Sequence, residues 1–146
     1  MLTFNVDEFI VEGTILGYRT GCSIDSKLMD LVVEKSININ KQNFSELVIL
    51  KVDTVKITMG IDDLSRIKYF MLKLPKYNQN IDILYKDFSL TKNNLNEILT
   101  YFNSQSIEWS FVESLAKVLR IKIGKVELVY SYEVDEQGLY CIQNCE

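Results

Sequence analysis

Two stretches of this chain alternate between apolar and polar residues, Val55-Lys56-Ile57-Thr58-Met59 and Leu119-Arg120-Ile121-Lys122-Ile123. Successive side chains of a strand point to opposite faces, so a period of two marks a strand with one face buried. Each run has a turn signal beside it. Asp53-Thr54 precedes the first, and Gly124-Lys125 follows the second. Flanking apolar runs extend the pattern: Leu47 to Val52 and Ile67 to Leu72 around the first run, Val126 to Val134 and Leu139 to Ile142 after the second. Short strands joined by tight turns predict antiparallel sheet. The chain's one proline, Pro75, falls after the third strand, because it cannot donate to a ladder. Residues 75–82 read as a polar loop. Glu8 to Tyr18, β-prone and punctuated by Gly13 and Gly17, reads as an opening strand or hairpin arm.

Helical spacing is confined to two places. Leu28, Leu31 and Val32 predict a short helix over about 24–35, capped by Ser23 or Asp25, with Asn38 and Asn40 in the loop after it. Leu95, Ile98, Leu99 and Phe102 form one apolar stripe, with Thr91 or Ser89 as cap and Ser104-Gln105-Ser106 as the break. Ile107 to Val112 alternates as a short strand. The two halves thus repeat one order: helix, strand, tight turn, strand, acidic turn, strand. Val55-Lys56-Ile57 lies over Val126-Glu127-Leu128, and Asp62-Asp63 lies near Asp135-Glu136. The expected class is α+β: an antiparallel sheet built from two helix-plus-three-strand repeats, about 8–74 and 83–143, with both helices on one face. At 146 residues a single domain, 1–146, is expected, burying roughly 70% of the unfolded surface. The uncovered sheet face is free to meet a partner.

Composition narrows the chemistry. There is no histidine, which removes the commonest general acid/base and every Ser-His or Cys-His nucleophile. The net charge of −4 argues against a nucleic-acid binder, whose phosphate affinity comes from clustered Lys and Arg. Gly13, Gly17 and Gly21 are spaced by four and match no phosphate loop, so they read as bends. Asp62-Asp63 and Asp135-Glu136 are of the types that pair as metal ligands or as a general acid/base set, but they read as turn residues on a solvated rim, and Asp135-Glu136-Gln137-Gly138 lacks the 12-residue ligand pattern of a calcium loop. Cys22, Cys141 and Cys145 are odd in number and lack a CxxC pair, as in reduced cytosolic thiols, with Cys141 packed in a strand and Cys145 in a loose tail. No signal peptide or membrane span is expected. No cofactor, no metal and no catalytic residue is expected either.

The resemblance rests on particular segments. These are Ile15-Leu16-Gly17 and Gly21-Cys22-Ser23 before a short helix, the capped stretch Leu95 to Phe102, and Ile107-Glu108-Trp109. Lys125 to Tyr130 and Gly138-Leu139-Tyr140-Cys141-Ile142 complete the set. In these the chain resembles immunity proteins of bacterial polymorphic toxin systems, and its duplicated plan is similar to that of the β-lactamase inhibitory protein. The resemblance spans about residues 8–143 and carries no catalytic residue. It implies a non-catalytic cytoplasmic protein, monomer or homodimer, that binds and neutralises a cognate toxin. A regulatory or phage-encoded protein-binding inhibitor, and an enzyme working with carboxylates alone, stand as alternatives. The residues expected to meet a partner are Trp109, Glu127, Tyr132, Glu133, Asp135, Glu136 and Tyr140. Trp and Tyr are frequent interface anchors. The acids would steer the protein toward a basic toxin. Trp109 fits core packing as well as an interface.

Overall fold

The computed structural model describes residues 2–37, 45–53, 55–74, 81–115, 117–132 and 137–145. Among the described residues strand accounts for 54% and helix for 16%, and most of the pairing is antiparallel, so sheet dominates an α+β plan. In order, the elements are β1 (Leu2–Asn5), α1 (Asp7–Glu12), α2 (Ser26–Met29), β2 (Val32–Ile37), β3 (Glu46–Val52), β4 (Val55–Ile61) and β5 (Ile67–Lys73). Then come β6 (Ile81–Tyr85), β7 (Phe88–Ser89), α3 (Leu95–Ser104), β8 (Trp109–Leu115), β9 (Val118–Ile123), β10 (Val126–Ser131) and β11 (Gly138–Asn144). The chain packs as two compact units, Thr14–Lys73 and Met1–Gly13 with Leu74–Glu146.

The first unit is a four-stranded meander, β2-β3-β4-β5, preceded by α2. Its register makes the predicted faces real. Val48 pairs with Met59 and Met59 with Phe70, one buried column across three strands. Lys51 and Lys56 pair on the other side. Asp62 holds the β4–β5 turn by accepting from the Leu64 and Arg66 backbone N–H groups and from the Arg66 Nε–H at 2.9 Å. Those hydrogen bonds hold its carboxyl below the usual carboxylate range, and the turn role expected for it is met.

The helix expected over 24–35 is shorter. Asp25 is its cap, accepting from the Leu28 N–H, but α2 ends at Met29 and Val32–Ile37 is strand. Val32 and Val33 are β-branched, and Val32 finds Leu50 across the sheet. The first meander therefore has four strands where three were expected.

In the second unit, β1 pairs in parallel with β6, and β7 pairs antiparallel with β6. The opening hairpin arm expected at 8–18 is instead α1. Asp7 and Glu8 stand in its first turn, where the helix dipole favours acids, and Gly13 ends it at φ 73° with its N–H bonded to the Phe9 carbonyl. Residues 81–82, read as loop, open β6. Pro75, Thr54, Asn38 and Asn40, whose loop and turn roles were expected, lie outside the described residues.

Helix α3 is capped by Asn94, not by Thr91 or Ser89. The Asn94 side chain accepts from the Glu97 N–H and the Glu97 carboxylate accepts from the Asn94 N–H, a complete capping box. Ser89 and Thr91 donate instead to Asp82 of β6. Ile98 and Phe102 bury the stripe. The meander β8-β9-β10-β11 follows, again with four strands. Phe111, Ile121, Leu128 and Ile142 share a row on one face. The β9–β10 turn is where the glycine is needed. Gly124 has φ 56°, and a Cβ there would stand 2.3 Å from the Ile10 carbonyl oxygen. That close approach lets the Lys125 N–H donate to the same carbonyl at 2.8 Å, seating α1 on the turn.

Candidate protein-interaction surfaces

The β8–β11 meander has two unlike faces, and its register assigns each residue to one of them outside the slips at Val112 and Tyr140. Trp109 pairs with Ile123, which pairs with Val126, so Trp109 belongs to the apolar side with Phe111, Ile121 and Leu128. Lys122 pairs with Glu127, and Glu127 with Gln143, on the opposite side. The expected partner-binding residues Trp109 and Glu127 are therefore on opposite faces. Trp109 is half-buried. Its Nε1–H donates to Asn103 Oδ1 at 2.9 Å, and its ring meets Phe111 edge-on at 5.5 Å.

Glu127 is only 7% exposed although it lies on the polar side. One of its oxygens, Oε2, accepts from Arg120 Nε at 3.0 Å, from Arg120 Nη2 at 2.6 Å and from Gln143 Nε2 at 3.1 Å. Arg120 Nη1 reaches the other way, to Glu113 Oε2 at 2.7 Å. Glu113, Arg120, Glu127 and Gln143 thus form a ladder that crosses all four strands. The hydrogen bonds to Glu127, and then to Glu113, more than offset burial and push the Arg120 guanidinium above its ordinary pKa. Two carboxylates meet one guanidinium, so the ladder keeps one negative charge in excess. Val129, Ser131 and Cys141 are buried on the same face around it.

Tyr132 and Tyr140 are exposed in the β10–β11 arm, and the Tyr132 N–H donates to the Lys117 carbonyl at 2.8 Å. Glu133, Asp135 and Glu136 lie outside the described residues. Cys141 is buried in β11, as expected. Cys145 is half-buried rather than loose, its N–H bonded to the Lys125 carbonyl, and burial, with Glu127 nearby, pushes its thiol pKa up. All three cysteines are free thiols.

Two features escaped sequence reasoning. Arg120, Glu113 and Gln143 form the ladder with Glu127, and the signal was present: a β9–β10 hairpin turning at Gly124-Lys125 places Arg120 and Glu127 on one face by parity alone. The second is β8. Phe111, Val112 and Leu115 are all exposed on it, and β8 pairs with β9 alone among the described residues. Beside its first residues is a cleft of about 570 Å³, lined by Ile10, Tyr85, Glu108, Trp109, Lys122 and Ile123 among others. Among the described residues no group of three or more acids and cysteines is placed to hold a metal ion. No helix among them is long and apolar enough to cross a membrane. No protein-family model matches this chain, and no curated protein or solved structure was found to match it.

Proposed function

We propose that this chain is a non-catalytic immunity protein that binds and neutralises a cognate bacterial toxin in the cytoplasm, and that the accessible Glu113–Arg120 end of the polar ladder on the β8–β11 meander is where it does so. The observation that carries this reading is the Glu113–Arg120–Glu127–Gln143 ladder. Its side chains are already held by one another, so a partner would not have to order them on docking. Arg is a frequent interface anchor, and here its charge is fully directed by two carboxylates. The excess negative charge suits a partner that presents Lys or Arg, as an enzyme acting on nucleic acid would. The same order, a helix and then an antiparallel meander, occurs twice along the chain (α2 with β2–β5, α3 with β8–β11). We read that order as an internal duplication, in keeping with the resemblance to immunity proteins.

Co-expression with the product of a neighbouring toxin gene tests the reading. Restored growth and an equimolar complex on purification are expected. Glu113→Lys, on an exposed carboxylate, should weaken that complex at least tenfold while leaving the circular dichroism spectrum unchanged. A genome neighbourhood without a toxin gene, together with no protection by co-expression, would overturn it.

A further inference from the structure

We propose that the outer face of α3, together with Phe88 of β7, is a binding site for a small neutral saccharide. An open groove of about 440 Å³ runs along this face, bordered by Phe88, Asn93, Asn96, Thr100, Tyr101 and Ser104 among others. That volume is of the order that small-molecule sites offer. Asn96, Thr100 and Ser104 recur at four-residue steps, so they stand on one side of the helix. Ile98 and Phe102 are buried on the other side.

The chemistry of the lining selects the ligand. Phe88 and Tyr101 stack in parallel with ring centroids 4.0 Å apart, and both are half-buried beside the groove. Aromatic surface attracts the C–H groups of a sugar ring, because the π-system is negative and those hydrogens are slightly positive. Around the rings stand amides and hydroxyls. The Asn96 amide and the Thr100 hydroxyl are exposed and have no hydrogen-bond partner among the described residues. Asn93 Nδ2 donates to the Ser89 carbonyl at 2.8 Å, which leaves Oδ1 to accept. Ser104 Oγ donates to the Tyr101 carbonyl at 2.7 Å and keeps its lone pairs. Amides and hydroxyls donate and accept alike, and so do the hydroxyls of a sugar.

Charged ligands fit this lining poorly. Among the described residues no Lys or Arg borders the groove, so an anion finds no countercharge. The Asn94 and Glu97 N–H groups at the head of α3 are already taken by the capping box. Glu97 is the one acid among the described residues that border the groove, and its Oε1 is held in that box. A single carboxylate is too little to hold a metal ion.

The site is independent of the toxin reading, and the protein alone tests it. Amide correlation spectra of the whole chain are titrated with glucose, galactose, N-acetylglucosamine, maltose and cellobiose. At least one sugar should shift residues 88–104 saturably in the millimolar range, and its C–H protons should receive saturation from the aromatic rings. Inorganic phosphate should leave the same residues unmoved. Asn96→Ala and Thr100→Val, at exposed positions, should each weaken the binding at least threefold with an unchanged circular dichroism spectrum. Tyr101→Ala should abolish it, and Tyr101→Phe, which keeps the ring, should retain it. Failure of all these sugars to shift residues 88–104 would overturn the proposal. So would binding that Asn96→Ala and Thr100→Val both leave unchanged, or phosphate shifting the same residues.

Discussion

Tyr130 has the least accommodated polar atom among the described residues. Its hydroxyl is buried and has no hydrogen-bond partner there, and burial drives its pKa far above the ordinary tyrosine value. The ring is well used, lying in β10 opposite Leu119 of β9, so only the oxygen is out of place. A buried unsatisfied hydroxyl costs about 1–3 kcal/mol. Tyr130→Phe keeps the ring and removes that cost. Urea unfolding should show the variant more stable than wild type by about 1 kcal/mol. A loss of stability instead would show that the hydroxyl is satisfied in solution, by an internal water. The chain itself offered no sign of this. Tyr130 and Tyr132 look alike in sequence, yet one is 2% exposed and the other 49%.

At the scale of elements, Asp82 joins β6 to the approach of α3. It accepts from the Ser89 and Thr91 hydroxyls, and Lys92 Nζ lies 3.6 Å away. Burial alone would raise its pKa, but the two hydroxyls and Lys92 outweigh it and hold the carboxyl below the usual range. A folded-state pKa below the unfolded value means the charged form is the one the fold favours. The stability it adds is therefore complete above about pH 4, the ordinary carboxylate value, and is lost as pH falls through the depressed folded pKa. Asp82→Asn should lower stability at pH 7, and the gap between variant and wild type should shrink as pH falls below about 4 in acid unfolding curves. A gap that stayed constant with pH would overturn this account.

The cap of α3 shows the same limit on local reading. Ser89 and Thr91 are good capping residue types, and nothing near them in sequence shows that a carboxylate from β6 takes both hydroxyls. Asn94 and Glu97, in contrast, form a capping box from adjacent residues and were open to a local reading. The β4 and β9 strands were legible because alternation and a tight turn are local signals. β1 was not, because its partner β6 is some eighty residues away, and parallel pairing leaves no turn between the strands. α1 was misread because Phe9, Ile10 and Val11 favour strands, while its helix is set by the acids before them and by Gly13 after them.

For the whole molecule, the missing histidine has a direct consequence. No side chain type present has an ordinary pKa between pH 5 and 8. The free energy of unfolding should then vary by less than about 1 kcal/mol between pH 5.5 and 7.5, measured by urea titration at fixed ionic strength. A steep slope in that window would reveal a strongly perturbed carboxylate or thiol.

The amino-acid pattern by itself determined the antiparallel meanders, the α3 stripe, the β9–β10 turn and the absence of imidazole chemistry, because each depends on residue type or on neighbours close in sequence. Tertiary structure decided the rest. It placed Trp109 and Glu127 on opposite faces, joined Glu113, Arg120, Glu127 and Gln143 into one ladder, and left β8 at an edge. Each of these depends on which strands lie side by side and in what register. A shift of one residue would move every side chain of a strand to the other face.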